Sequence, residues 1–189
     1  MKRSMFLALA MAAAFTAGLA QTPKDKFNTP NPKSPPRQTS VTINGKEVWI
    51  AYHAPSVRSR TIFGAAGALH PNGSTWRLGA DQATFLHTDA DLDIGGVAIP
   101  AGEYTLFVAL NEGKWELIVN KQTGQWGIKR GGVANFDPAN NAGVAPLSLR
   151  RSPALVEELK IELTHAGGNK AKLEIAWEHA NATVGIVVK

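Results

Sequence analysis

The stretch Ser74-Thr75-Trp76-Arg77-Leu78-Gly79-Ala80-Asp81-Gln82-Ala83-Thr84 gathers an indole, a cation, an acid and a hydroxyl around one glycine. A guanidinium can grip a carboxylate or phosphate through two parallel hydrogen bonds, and an indole offers a flat apolar wall. Arg77 and Asp81 are spaced to pair across a bend at Gly79-Ala80. On a strand, Trp76 and Arg77 are neighbours and therefore face opposite ways. Two readings follow. In one, Arg77 and Asp81 brace the loop while Trp76 belongs to the core. In the other, Arg77 or Arg60 binds an anion, with Trp76, Trp126 or Tyr52 as a stacking wall. The candidate ligand-binding set is Tyr52, Arg60, Trp76, Arg77, Asp81 and Trp126.

Other chemistries have weaker support. The chain has no cysteine, which removes a thiolate nucleophile and leaves stability to a packed core. It contains neither a Gly-x-Ser-x-Gly elbow nor a glycine-rich phosphate loop ahead of a helix, and no cofactor is expected. The five histidines, His53, His70, His87, His165 and His179, show no His-x-His or His-x-x-x-His spacing. No metal ligand is therefore assigned, although His53, His70 and His87 could meet only if distant strands brought them together. A hydrolase or lyase would use His53 or His70 as base, supported by Asp81 or Glu103. Asp89, Asp91 and Asp93 have the spacing of a calcium loop. However, Gly95 stands at the seventh position instead of the sixth, and Pro100 occupies the place of the bidentate Glu. On a strand these three acids would share one solvent-facing side.

Short strands must position these residues. Asn44-Gly45 between Val41–Ile43 and Val48–Tyr52 is the strongest short hairpin signal, and Gly95-Gly96 marks a second hairpin. Along Glu103–Leu110 both alternating faces are apolar, as expected of a strand buried on both sides. Trp115, Leu117 and Val119 alternate with polar or apolar partners in the next strand. A long loop follows from Lys121 to Ala145, interrupted by Gln125–Ile128, and Leu147–Leu149 is a candidate strand. Three strands close the chain: Leu155–Thr164, Ala171–His179 and Thr183–Val188. No long helical period appears. The expected fold is all-β, an antiparallel β-sandwich or jelly-roll-like barrel of about eight to ten strands.

The amino terminus reads differently. Lys2 and Arg3 precede an apolar run from Met5 to Phe15, and Ala17-Gly18-Leu19-Ala20 supplies small residues at a cleavage site. This is the pattern of a secretory signal peptide cut after Ala20. The run is shorter than the ~20 apolar residues that span a bilayer, so no membrane anchor is expected after cleavage. Residues 21–37 hold five prolines and read as a flexible leader, with a single domain over 38–189. Loss of Lys2 and Arg3 leaves 18 cations against 15 acids, lowering the net charge from +5 to +3. The basic residues form no long run with interleaved aromatics, so nucleic acid is not an expected partner.

Four ordered motifs carry a resemblance. They are Tyr52-x-x-Pro55 with Arg60-x-Ile62-Phe63-Gly64; Trp76-Arg77-x-Gly79-Ala80-Asp81-x-Ala83-Thr84; Pro100-Ala101-Gly102-x-Tyr104-Thr105-Leu106-Phe107; and Trp115 and Asn120 with Gln125-Trp126-Gly127. Together they resemble the bacterial secreted family known as domain of unknown function 2911, over about Gln38 to Lys189. The resemblance implies an exported β-rich domain with no assigned activity or catalytic residue. The chain departs from the family pattern between Gly64 and Trp76, where the family usually has a shorter link with a Tyr after the Pro. It also departs in the acid run Asp89–Asp93. The expectation is a non-catalytic binding or structural module in the periplasm or outside the cell. Its ligand would be a carbohydrate, a small anionic molecule or an envelope protein.

Overall fold

The computed structural model describes residues 27–189. The expected signal peptide and the first part of the expected leader lie outside the described residues. The fold is all-β. Its strands are β1 (Pro36–Ile43), β2 (Lys46–His53), β3 (Phe63–Gly64), β4 (His70–Pro71), β5 (Ser74–Trp76), β6 (Phe85–Thr88), β7 (Leu92–Ile94), β8 (Val97–Ile99), β9 (Gly102–Asn111), β10 (Lys114–Asn120), β11 (Asn141–His165) and β12 (Lys170–Val188). Ten of them form one antiparallel sheet in the order β1-β2-β6-β9-β10-β11-β12-β7-β8, with β5 also paired to β9. β3 and β4 make a separate two-residue parallel pair. These short pieces take the strand number past the expected eight to ten.

The hairpin signals act as expected. Asn44 and Gly45 both take positive φ, as a two-residue turn between twisted strands requires. Gly95-Gly96 joins β7 to β8. The end of the chain differs from expectation: in place of three short strands it forms two long ones, β11 and β12. Their pairing breaks register between Arg151 and Val156 and again between Val156 and Lys160. Pro153 falls in the first break, and Glu178 opposite takes φ +54. Bulges bend a strand and increase its twist, so the ribbon turns here without ending. The first part of β11 pairs with β10. Its far part reaches β1 and β2, where the Leu163 amide donates to Thr39 Oγ1 (2.9 Å) and the Ile161 amide to the Tyr52 hydroxyl (3.0 Å). The sheet thus folds over into two layers.

One apolar core lies between the layers. Leu159, Ile161 and Leu163 meet Leu173, Ile175 and Trp177 from the back, and Tyr104, Leu106, Val108, Trp115, Leu117 and Val119 from the front. The period-two alternation of these strands sends every second side chain inward. The front layer has apolar patches on its outer face as well. Phe107 is covered by Phe136 of the long loop, with ring centroids 4.6 Å apart. Trp49, Ala51 and Phe85 are covered by Phe27. The leader is therefore docked from residue 27 onward, and Pro36 and Arg37 already pair with His53 and Tyr52. Proline is tolerated there because β1 is an edge strand.

Candidate functional site

β5 and β6 both pair with β9 and lie end to end along it, Trp76 opposite Val108 and Phe85 opposite Thr105. Between them residues 77–84 leave the ladder as an excursion, and backbone hydrogen bonds stitch it down. The Ala80 amide donates to His53 O (3.1 Å), the Thr84 amide to Arg77 O (3.3 Å) and the Leu106 amide to Thr84 O (2.8 Å). Thr84 Oγ1 donates to Leu78 O (2.7 Å), and Trp76 Nε1 donates to Gly79 O (3.3 Å). A Cβ on Gly79 would stand 3.1 Å from both His53 O and Thr84 Oγ1, which explains the glycine. Leu78 and Asp81 hold φ of +56° and +53°. A buried leucine in the left-handed region is uncommon and persists only where its surroundings over-determine it.

Beside the excursion is a cavity of about 360 Å³. Lys33, Arg58, Arg60 and Arg77 reach it, and Asp81 is its one carboxylate. Its depth is aromatic: His70, Trp76 and Trp177 pack together, the two indoles stacked at 5.6 Å and His70 at 5.5 Å from Trp76. Burial, with Arg77 and Arg60 adding to it, pulls the His70 pKa down to about 4, so the ring is neutral at ordinary pH. Trp177 is 1% exposed and its Nε1–H has no acceptor among the described residues. A buried N–H without a partner is a costly feature that wants an acceptor.

The expected site residues separate. Arg60, Trp76, Arg77 and Asp81 line the cavity. Tyr52 does not. It is a core residue whose hydroxyl engages the Ile161 backbone, and burial raises its pKa. Trp126 stands outside the cavity, 48% exposed, with the Arg77 guanidinium 5.2 Å from its ring centroid. Arg77 Nη1 also donates to Trp126 O at 2.9 Å. The expected Arg77–Asp81 brace does not form, because Arg77 turns to Trp126 while Asp81 Oδ2 accepts the Ser34 amide at 2.9 Å. Asp81 still acts on Arg77 from a distance, opposing the lowering of its pKa by burial. Trp76 and Arg77 were expected on opposite sides of a strand. β5 ends at Trp76, so the alternation stops there and both residues reach one cavity. Trp76 is nearly sealed in the core, so it supports the cavity and presents no broad stacking face.

The histidines do not converge. His53 stacks on Phe27 at 4.8 Å, His87 stacks on Trp49 at 5.4 Å, and His70 sits in the cavity. Among the described residues no group of three His, Asp or Glu could hold a metal ion. Of the acids of 89–93 only Asp93 lies within a strand, β7, while Asp89 and Asp91 are exposed beside it. Asp89 Oδ2 accepts the Glu47 amide, Asp91 Oδ1 the Ala101 amide and Asp93 Oδ1 the Gly96 amide. Asp89 thereby ties the end of β6 to β2, while Asp91 and Asp93 fasten the turns after and before β8.

Every member of Trp-Arg-x-Gly-Ala-Asp-x-Ala-Thr now has a structural place, Ala83 lying under Gly127, where a Cβ would come within 2.6 Å of it. The family model described as protein of unknown function (DUF2911) matches residues 34–186. The chain belongs to this family. The match spans the whole two-layered sheet, and it begins at Ser34, the residue whose amide caps Asp81. No curated protein and no solved structure matches the chain.

Among the cavity residues that the sequence does not single out are Lys33, Arg58 and Trp177. Lys33 was hidden in the Pro-rich leader. Arg58 carries no local signal beyond its charge. Trp177 sits in a cleanly alternating strand, where an indole reads as core, and nothing local shows that its N–H lacks a partner.

Proposed function

We propose that this protein is a non-catalytic binding module, exported to the periplasm or beyond, that takes a small anionic ligand in the cavity beside residues 77–84. The observation that carries the proposal is the charge of the lining: four cationic side chains against one carboxylate around about 360 Å³. Cavities of this size on a rigid scaffold, apolar in depth with a few polar groups at the mouth, are the usual form of small-molecule sites. Two of the cations are already oriented. Arg60 is held by Val57 O (3.0 Å) and Ser56 O (2.8 Å), and Arg77 by Trp126. Fixing a cation beforehand lowers the ordering cost of binding.

A hydrolase or lyase built on His53 or His70 has less support. Among the described residues neither ring hydrogen-bonds Asp81 or Glu103, Asp81 reaching His53 only through its charge, and His87, which lies by Asp89 (3.1 Å) and Glu103 (4.0 Å), is outside the cavity. An envelope protein would need a broader contact than this cavity offers.

Isothermal titration with phthalate, citrate and inorganic phosphate, and with the neutral diamide of phthalate, tests the proposal. At least one anion should bind, the diamide should not, and Arg58→Ala should weaken the anion. Binding of the diamide as strong as that of phthalate, or no anion binding at all, would sink the anion reading.

A further inference from the structure

The segment 27–35 was expected to be a plain linker, yet it forms part of the cavity wall through Lys33 and Ser34. It is held at its two ends. At one, Phe27 stacks on His53 (4.8 Å) and closes the apolar cluster of Trp49, Ala51 and Phe85. At the other, the Ser34 amide donates to Asp81 Oδ2 (2.9 Å) and Pro35 O accepts the Ala54 amide (2.9 Å). Between them Asn28, Pro30, Asn31, Pro32 and Lys33 are exposed, and Thr29 Oγ1 makes a long contact to Gln82 Oε1 (3.4 Å). Prolines 30, 32 and 35 have no N–H with which to join a ladder. A strap with two anchors and a solvated middle is among the first parts of a fold to open.

What lies under it matters as much. His53 is 2% exposed, and its Nδ1 has no partner among the described residues. Asp81 is 6% exposed, in the left-handed region, and its one described hydrogen bond is to the strap. The strap therefore covers polar groups that the rest of the fold leaves unfinished, and it brings an ammonium to the mouth of a cavity already lined by three arginines.

Building on the anion-binding reading above, we infer that residues 27–35 are a separable wall of the site, and that Lys33 is a specificity-determining residue that contacts the anionic group. Docking of the strap and binding of the ligand then stabilise each other, because the ligand meets Lys33 only when the strap is down. Such coupling is reciprocal: what the strap adds to affinity, the ligand adds to docking.

The test uses the full exported chain and the anion from the panel above that binds best. Trypsin can cut after Lys33 only when the strap lifts, so bound anion should slow this cut about five-fold or more, within the usual range of coupling. Phe27→Ala, which touches no cavity residue, should speed the cut and weaken the anion by a similar factor. Lys33→Ala should weaken the anion without speeding strap release, measured by hydrogen exchange at the Ser34 amide, and Lys33→Arg should restore affinity. If the anion binds the wild type but Lys33→Ala and Phe27→Ala bind it equally well, the strap is no part of the site and the anion reading survives alone. If no anion binds the wild type, both ideas fall together. Should Phe27→Ala unfold the protein, Lys33→Ala and its arginine rescue still decide.

Discussion

Residues 77–84 and residues 89–96 are both short and acid-bearing, and in both an aspartate accepts a backbone amide. Asp81 takes the Ser34 amide at 2.9 Å and Asp93 the Gly96 amide at 2.8 Å. Their surroundings differ. The second is strand β7 with its flanks: Asp89 and Asp91 are exposed, Asp89 Oδ2 takes the Glu47 amide from β2, and Gly95-Gly96 supply the turn to β8. The first is buried, holds two non-glycine residues in the left-handed region, and binds an amide 47 residues away. It also borders a cavity whose lining includes the unpartnered indole N–H of Trp177. Aspartate count does not separate a site from a turn. What separates them is burial, and whether the stretch borders a cavity lined by polar groups still without partners.

The largest test of that contrast is Trp76→Ala. Trp76 is sealed against Trp177, His70 and Phe63, so the loss of its ring should cost about 3–5 kcal/mol, read from a urea melt. A cost below about 1 kcal/mol would mean that the excursion is not anchored by its tryptophan.

Next comes pH. The His70 pKa lies near 4 against an ordinary 6.5, so between those values the unfolded chain binds the proton more readily. Stability from this group is complete above 6.5 and is lost as pH falls toward about 4. Burial also lowers His53, which adds loss in the same direction. From pH 7 to 5 the His70 share should be about 1–2 kcal/mol after allowing for its partial exposure. His70→Gln should flatten this slope in chemical denaturation. An unchanged slope would place the acid sensitivity elsewhere.

Smaller again is Thr84→Val. It keeps the shape but leaves Leu78 O without its 2.7 Å donor, a loss of about 1 kcal/mol. If the excursion is as over-determined as its left-handed leucine suggests, the variant should also weaken anion binding, since Gly79 and Ala80 line the cavity.

Much of the fold was legible because hairpin turns are local. Asn44-Gly45 and Gly95-Gly96 need positive φ, and the alternation of Leu173, Ile175 and Trp177 names the core face directly. The long strands were harder to read. A bulge at Arg151–Lys160 looks like a strand end in sequence, because Pro153 and the run of exposed residues there break the pattern without breaking the chain's course. The motif was legible as a unit, but its partners were not. Arg77 and Asp81 are four residues apart, so sequence proximity favours pairing them, yet each is bound to a distant segment. The strap was least legible of all. Its prolines correctly exclude a ladder, but a single aromatic, Phe27, is enough to dock it onto an apolar patch that the strand pattern left uncovered.

The smallest predicted effect is also the sharpest comparison. Asp93→Asn keeps an acceptor for the Gly96 amide in a solvated turn, so its cost should stay under about 0.5 kcal/mol. Millimolar calcium should leave the melting temperature of the wild type unchanged, because the acids of 89–93 are each turned to a different amide. Asp81→Asn makes the same chemical change and tolerates the left-handed backbone equally well. It should nonetheless cost more, because a buried charged acceptor of the Ser34 amide is replaced by a weaker neutral one, and it should speed tryptic cleavage after Lys33. Equal costs at the two positions would mean that burial and the strap add nothing, and that the loop beside the cavity is a turn like the other.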